Sequence, residues 1–157
     1  MTFPYPALEL SDMKRILYPT DYSELSEYAL HFATSLARDC RAELLIVHVS
    51  ETECCPVGEL FDEECEPSAE ELKRLEAVRP DDTSVPFEHR LVCPPPSADS
   101  VHLADEIVKL ARQEDVHAVV MGTHGRTGLN RLMMGSVAET VMWQAPCPVV
   151  TVKKPET

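Results

Sequence analysis

Gly122-Thr123-His124-Gly125, with nine residues between it and Gly135-Ser136, is the stretch whose reading decides this chain. The apolar run Ala118-Val119-Val120-Met121 leads into it, and the helix-like run Val137 to Trp143 leads out. A glycine-rich turn that leaves a strand and ends at a helix N-terminus suits an anionic ligand. Glycine lets the backbone approach closely, its N–H groups point outward, and the helix dipole favours negative charge. We read it as a cradle for nucleotide phosphates. Three glycines and a hydroxyl residue at one fixed spacing should match a chain of this length by chance about once in a couple of hundred sequences. The other reading is an ordinary flexible strand-to-helix loop. No Gly-Lys-Ser/Thr follows, so it is not a P-loop, and no Gly-x-Gly occurs, so it is not the dinucleotide fingerprint.

Working outward, strands alternate with helices along the whole chain. The first strand is Arg15-Ile16-Leu17-Tyr18, ended by Pro19. Ser23 is a good N-cap for a helix to about Asp39, with Leu25, Ala29, Phe32, Ala33 and Leu36 on one face. Glu43 to Val49 is a nearly continuous apolar run, as in a buried parallel strand. Residues 50–68 are acidic, hold Cys54, Cys55 and Cys65, and form a loop. A short helix is expected from Ser68 to Val78 with Leu72 and Leu75 inward, then a strand from Phe87 to Val92. Cys93-Pro94-Pro95-Pro96 breaks pairing, because proline lacks the N–H. A helix from Ser100 to Gln113 buries Val101, Ala104, Ile107, Val108 and Ala111. The fourth strand runs from His117 to Met121, a helix from Ser136 to about Gln144, and the last strand from Pro148 to Val152, before a loose charged tail.

This alternation predicts an α/β, Rossmann-like parallel sheet with helices on both faces. Ligands in such sheets bind at the carboxyl ends of the strands, where strand order reverses. If the first and fourth strands are neighbours, Pro19-Thr20-Asp21 and the glycine loop face each other across the crevice.

Composition bounds the function. A chain of 157 residues with 44% hydrophobic residues suits one folded domain, here 1–157 with a core of about 13–153. No apolar run is long enough to span a bilayer, and Met1 to Ser11 lacks a secretory pattern, so a cytoplasmic location is expected. Fourteen Lys and Arg against 27 Asp and Glu give a formal charge of −13. That excludes a basic footprint for nucleic acid or for an anionic membrane. A phosphate site must therefore work locally, through amides, a helix terminus, Arg126, Arg131 and a divalent ion. The six cysteines form no C-x-x-C, and the core is large enough to need no disulfide framework.

The chain resembles the universal stress protein family from about Met13 to Lys153. The carrying residues are Ile16 to Ser23, Glu43 to Val49, Val119 to Arg126, Gly135 to Glu139 and Ala145 to Val150. Gly122, Gly125, Gly135 and Ser136 match the G-2x-G-9x-G-S/T motif of its ATP-binding branch. The resemblance implies a five-stranded sheet in the order 3-2-1-4-5 and a homodimer through the last strand, residues 148–152. It implies ATP, with Mg2+ or Mn2+, as the ligand. Asp21, with Pro19 and Thr20, would lie near the ribose and metal-bound phosphates. The backbone of Val49 would meet the adenine. Met121, Gly122, His124, Gly125, Gly135, Ser136 and Val137 would wrap ribose and phosphates. The chain departs from the family's pattern at Cys93 and the triple proline, at Ala138, and in the cysteine-rich residues 50–68.

Plain structural readings stand beside these. Asp21 either caps the first helix or solvates a turn, or it serves the ligand. His124 makes either a structural hydrogen bond or a ligand contact. Arg126 and Arg131 are either solvated charges or phosphate partners. His48 in its apolar strand reads as a satisfied core histidine, and Cys147 as packing. No nucleophile–base pair is placed by the sequence, so hydrolysis of ATP is expected to be slow or absent. The functional expectation is an ATP-binding stress or regulatory protein acting as a nucleotide-dependent dimer with an unnamed protein partner. The alternatives are a nucleotide-independent interaction module, and a thiol or metal sensor using Cys54, Cys55 and Cys65.

Overall fold

The computed structural model describes residues 10–51, 68–94, 101–124 and 134–154. Five strands form one sheet: β1 (Arg15–Pro19), β2 (Glu43–Val49), β3 (Phe87–Val92), β4 (Ala118–Gly122) and β5 (Val149–Val152). Their order is β3-β2-β1-β4-β5, and each neighbouring pair is parallel. The helices are α1 (Glu24–Cys40), α2 (Ala69–Glu76), α3 (Val101–Gln113) and α4 (Ser136–Gln144). The expected order and alternation are therefore observed.

Strand side chains alternate between two cores. Ile16, Tyr18, Leu44, Ile46, Ala118 and Val120 face one core with α1 and α2. Leu17, Leu45, Val47, Val119 and Met121 face the other with α3 and α4. Both faces of β1, β2 and β4 are covered, which explains their continuous apolar runs.

Two expected inward residues are not inward. Phe32 is 45% exposed and Leu72 is 39% exposed. The buried stripe of α1 runs instead through Ser26, Ala29, Ala33, Thr34, Ala37 and Cys40. Small side chains let the helix lie close on the sheet, and Phe32 is turned out beside them. The short α2 covers only the sheet margin, and among its described residues only Leu75 is buried.

Local chemistry sets the helix starts. Ser23 Oγ accepts from the Ser26 amide at α1, and Ser68 Oγ accepts from the Glu71 amide at α2. At α1's far end Arg41 adopts φ 57°, and its N–H returns to the Ala37 and Arg38 carbonyls.

Candidate functional site

The switch in strand order falls between β1 and β4, whose neighbours lead away in opposite directions. A cavity of about 530 Å³ opens at the carboxyl ends of the strands there. Its walls carry Pro19 at the end of β1 with Thr20 and Asp21 after it, Val49 at the end of β2, Met121 and Gly122 at the end of β4 with Thr123 and His124 after them, and Gly135, Ser136 and Val137 at the start of α4. That volume is in the range of small-molecule and cofactor sites.

The two halves of the glycine motif are tied together by one backbone bond, from the Gly135 N–H to the Thr123 carbonyl at 2.8 Å. The Thr123 N–H in turn donates to the Val152 carbonyl at 3.1 Å, anchoring the turn to β5. Gly135 is the N-cap of α4 and supplies no side-chain cap, unlike Ser23 and Ser68. The first-turn amides of α4 therefore start beside the cavity without a side-chain acceptor. Gly122 has a packing reason as well: a Cβ there would stand 3.3 Å from the Leu25 carbonyl carbon and oxygen. The close approach that its missing side chain permits is to α1.

The Asp21 turn is built on a buried hydroxyl network. Thr20 Oγ1 accepts from the Tyr22 N–H at 3.1 Å and from Ser26 Oγ at 2.9 Å. Tyr18 Oη donates to the Ser26 carbonyl at 2.7 Å, and burial pushes the Tyr18 phenol above its ordinary range. Asp21 Oδ1 accepts from the Ser23 N–H at 3.0 Å, and Asp21 also lines the cavity. Asp21 therefore closes the turn before α1 and is not its cap, a role that Ser23 fills, and its second oxygen is left to face the cavity.

His48 is buried, and its Nδ1 donates to the Thr20 carbonyl at 2.7 Å, as a satisfied core histidine should. It also lines the cavity, which its strand position did not reveal. His124 pairs Nδ1 with Thr123 Oγ1 at 2.9 Å, the structural bond of its two readings. Its Nε2 is buried without a hydrogen-bond partner among the described residues. A buried ring nitrogen left unmatched at a cavity wall is a polar group awaiting a partner.

Leu103 and Ile107 of α3, together with Ala138, complete the wall. Sequence reasoning assigned Ile107 to the core and did not single out Leu103 for the site. Their signal was available in the α3 stripe, whose first turns reach the same end of the sheet as the β-strand carboxyl ends. Gly125, Arg126 and Arg131 lie outside the described residues, as do Cys54, Cys55 and Cys65. Among the described residues no Lys or Arg lines the cavity, while Asp21 and Glu51 do. No group of three His, Cys, Asp or Glu able to hold a metal occurs among the described residues. No helix among them is long and apolar enough to cross a membrane. Cys147 packs against the α3–α4 core, and burial pushes its thiol up to about 11.

Comparison with known proteins agrees with this architecture. Residues 13–153 match the universal stress protein family. The universal stress protein MJ0531 of Methanocaldococcus jannaschii is 32% identical over 153 residues, covering 91% of this chain and 84% of that protein. The solved structure of MJ0577, a universal stress protein of the same organism, superposes with a TM-score of 0.63 at 26% identity, covering 92% of this chain and 99% of that one. A universal stress protein from Archaeoglobus fulgidus, solved in complex with dAMP, shares the fold with a TM-score of 0.57 at 22% identity, covering 90% of this chain and 98% of that one. The family match over nearly the whole chain, the strand order and the glycine turn lead to one conclusion: this chain belongs to the universal stress protein family.

Proposed function

We propose that this chain is an ATP-binding stress-response or regulatory protein of the cytoplasm, working as a nucleotide-dependent homodimer. The observation that carries the reading is the start of α4. Gly135 caps the helix without a side chain, its N–H is tied to Thr123, and Ser136 and Val137 line a cavity of about 530 Å³. First-turn amides without a side-chain cap and the positive end of the helix dipole suit a phosphate. The unmatched His124 Nε2 gives a further polar partner for ribose or phosphate. The apolar wall of Val49, Leu103, Ile107 and Met121 suits a base. The dAMP complex of the A. fulgidus relative supports an adenine nucleotide as the ligand class. Mg2+ or Mn2+ would reach the phosphates beside Asp21 and offset charge where no Lys or Arg among the described residues does so. Turnover is expected to be slow or absent, since among the described residues no base stands paired with a nucleophile.

The dimer reading rests on β5. It ends the sheet with Val149-Val150-Thr151-Val152, an edge with no charged residue. Such an edge invites pairing with a second chain. Trp143 on α4 is 78% exposed, and Met142 beside it is 45% exposed.

The test is to denature the purified protein and identify released nucleotide by mass spectrometry, then titrate stripped protein with Mg-ATP by calorimetry. Near one ATP per chain, or saturable binding, is the expected result. Gly135→Val should abolish binding and keep the fold, because Gly135 has φ −65° and ψ 149°, open to any residue. No nucleotide released and no heat on titration would overturn the proposal and leave the interaction-module reading in its place.

A further inference from the structure

Tyr22 directly follows Asp21 and adopts φ 62°, a left-handed conformation that a bulky residue rarely accepts. Such strain persists only where the surroundings hold it. Here the surroundings are a three-layer stack. The Tyr22 ring lies 4.4 Å from the His48 ring, centroid to centroid, at 41°. On Tyr22, the Arg74 guanidinium carbon stands 4.2 Å from the ring centroid. His48 belongs to β2 and lines the cavity, whereas Arg74 belongs to α2, which does not reach it. A second tie joins α2 to the same end of the sheet: Ser50 Oγ donates to Glu71 Oε1 at 2.6 Å, one residue past Val49. Leu75 is the only described buried residue of α2, and these two polar contacts add to its packing.

We propose that Tyr22 and Arg74 are positioning residues for the nucleotide site, and that α2 is coupled through them to the state of the Asp21 turn. The reading rests on the proposed nucleotide site. The ring of Tyr22 fixes the turn that aims Asp21 into the cavity. Arg74 holds that ring from outside, by a cation–π contact with one exposed partner. Anything that moves α2 loosens Asp21, and a ligand that holds Asp21 steadies α2.

The variants separate ring, charge and backbone. Tyr22→Gly accepts φ 62° without strain but removes the ring. Tyr22→Phe keeps the ring. Arg74→Ala removes an exposed side chain that the core does not need, and Arg74→Lys restores a cation. Mg-ATP affinity is measured by calorimetry, and exchange of the Ser23 amide, which is bonded to Asp21 Oδ1, by NMR without ligand. We expect about tenfold weaker binding in Tyr22→Gly and about threefold in Arg74→Ala, the scale of an exposed cation–π pair. The Phe and Lys variants should recover most of the loss. The Ser23 amide should exchange faster in Tyr22→Gly and Arg74→Ala, and α2 amides should gain protection when Mg-ATP binds. If the unaltered protein binds nucleotide and the Gly and Ala variants bind equally well, the inference is overturned. If the unaltered protein binds none, the proposed function fails, and Ser23 exchange still decides: unchanged rates in both variants overturn the stack's role.

Discussion

Asp21 joins two tasks in one side chain. One oxygen accepts from the Ser23 amide, and the residue also lines the cavity. Asp21→Asn keeps an acceptor for Ser23 and removes the charge. Its melting temperature should stay near that of the unaltered protein, while Mg-ATP affinity falls roughly tenfold, the scale of a hydrogen bond to a charged group. Equal losses of stability and affinity would show that only the bond to the Ser23 amide matters. Cys147 makes a second residue-scale prediction. Burial raises its thiol from an ordinary 9.0 to about 11. The folded state therefore holds this proton more tightly than the unfolded state. The associated stability is complete below the unfolded value and is lost as pH rises through about 11. Labelling of Cys147 by a thiol reagent should be slow at pH 8 and rise with a midpoint near 11, read by peptide mass spectrometry. Cys93 is also raised by burial, with a smaller contribution from Glu71. Neither shift was legible in the sequence, because burial is set by neighbours far along the chain.

At the scale of elements, caps and periodicity carried most of the reading. Ser23 was legible as an N-cap because a hydroxyl before an apolar-periodic run has one obvious use, whereas Ser68 was placed inside its helix and the structure makes it the cap. Ser23→Ala should cost about 1 kcal/mol of unfolding free energy in urea. A much smaller value would mean that Asp21 and Thr20 hold the turn without it. The bounds of β2 and β3 were also legible, since the apolar run of β2 stops at Val49 and the prolines after Cys93 end β3. What periodicity misjudged was which residues face the sheet. Phe32 shares a helical face with Ala29 and Ala33, but a helix lying close on a flat sheet selects small side chains. Leu72 fits the α2 stripe equally well and still lies outside, because only one turn of that short helix reaches the core. Gly122 was read as a ligand-facing glycine, and its contact with Leu25 shows that α1 needs it too.

The whole molecule places the site by topology. The order β3-β2-β1-β4-β5 makes β1 and β4 neighbours, although about a hundred residues separate them in the chain. The same order leaves β5 at one edge. The Val119 N–H reaches the Pro148 carbonyl, and the Thr123 N–H reaches the Val152 carbonyl. Residues 148 and 152 thus turn their carbonyls to β4, and by alternation Val149 and Thr151 present theirs outward. Thr151→Pro removes an outward N–H and leaves the β4 ladder intact. It should convert the proposed dimer to monomer in sedimentation velocity while the far-ultraviolet spectrum stays unchanged. A dimer that survives would place the contact elsewhere, with exposed Trp143 the next surface to alter. The formal charge of −13 sets the other molecule-wide condition. Dimerisation should strengthen with salt, because two such chains repel at low ionic strength.

The sequence by itself determined the alternation of strands and helices, the strand bounds to within a residue, the cap of the first helix and the glycine turn. Each depends on local rules: side-chain period, proline and glycine geometry, and hydroxyls beside free amides. Only the tertiary structure decided which apolar residues are inward, that His48 serves both core and cavity, that His124 keeps one ring nitrogen unmatched, and that Arg74 of α2 stacks over Tyr22. These depend on contacts between residues about 20 to 50 positions or more apart, whose geometry comes from the sheet that assembles them.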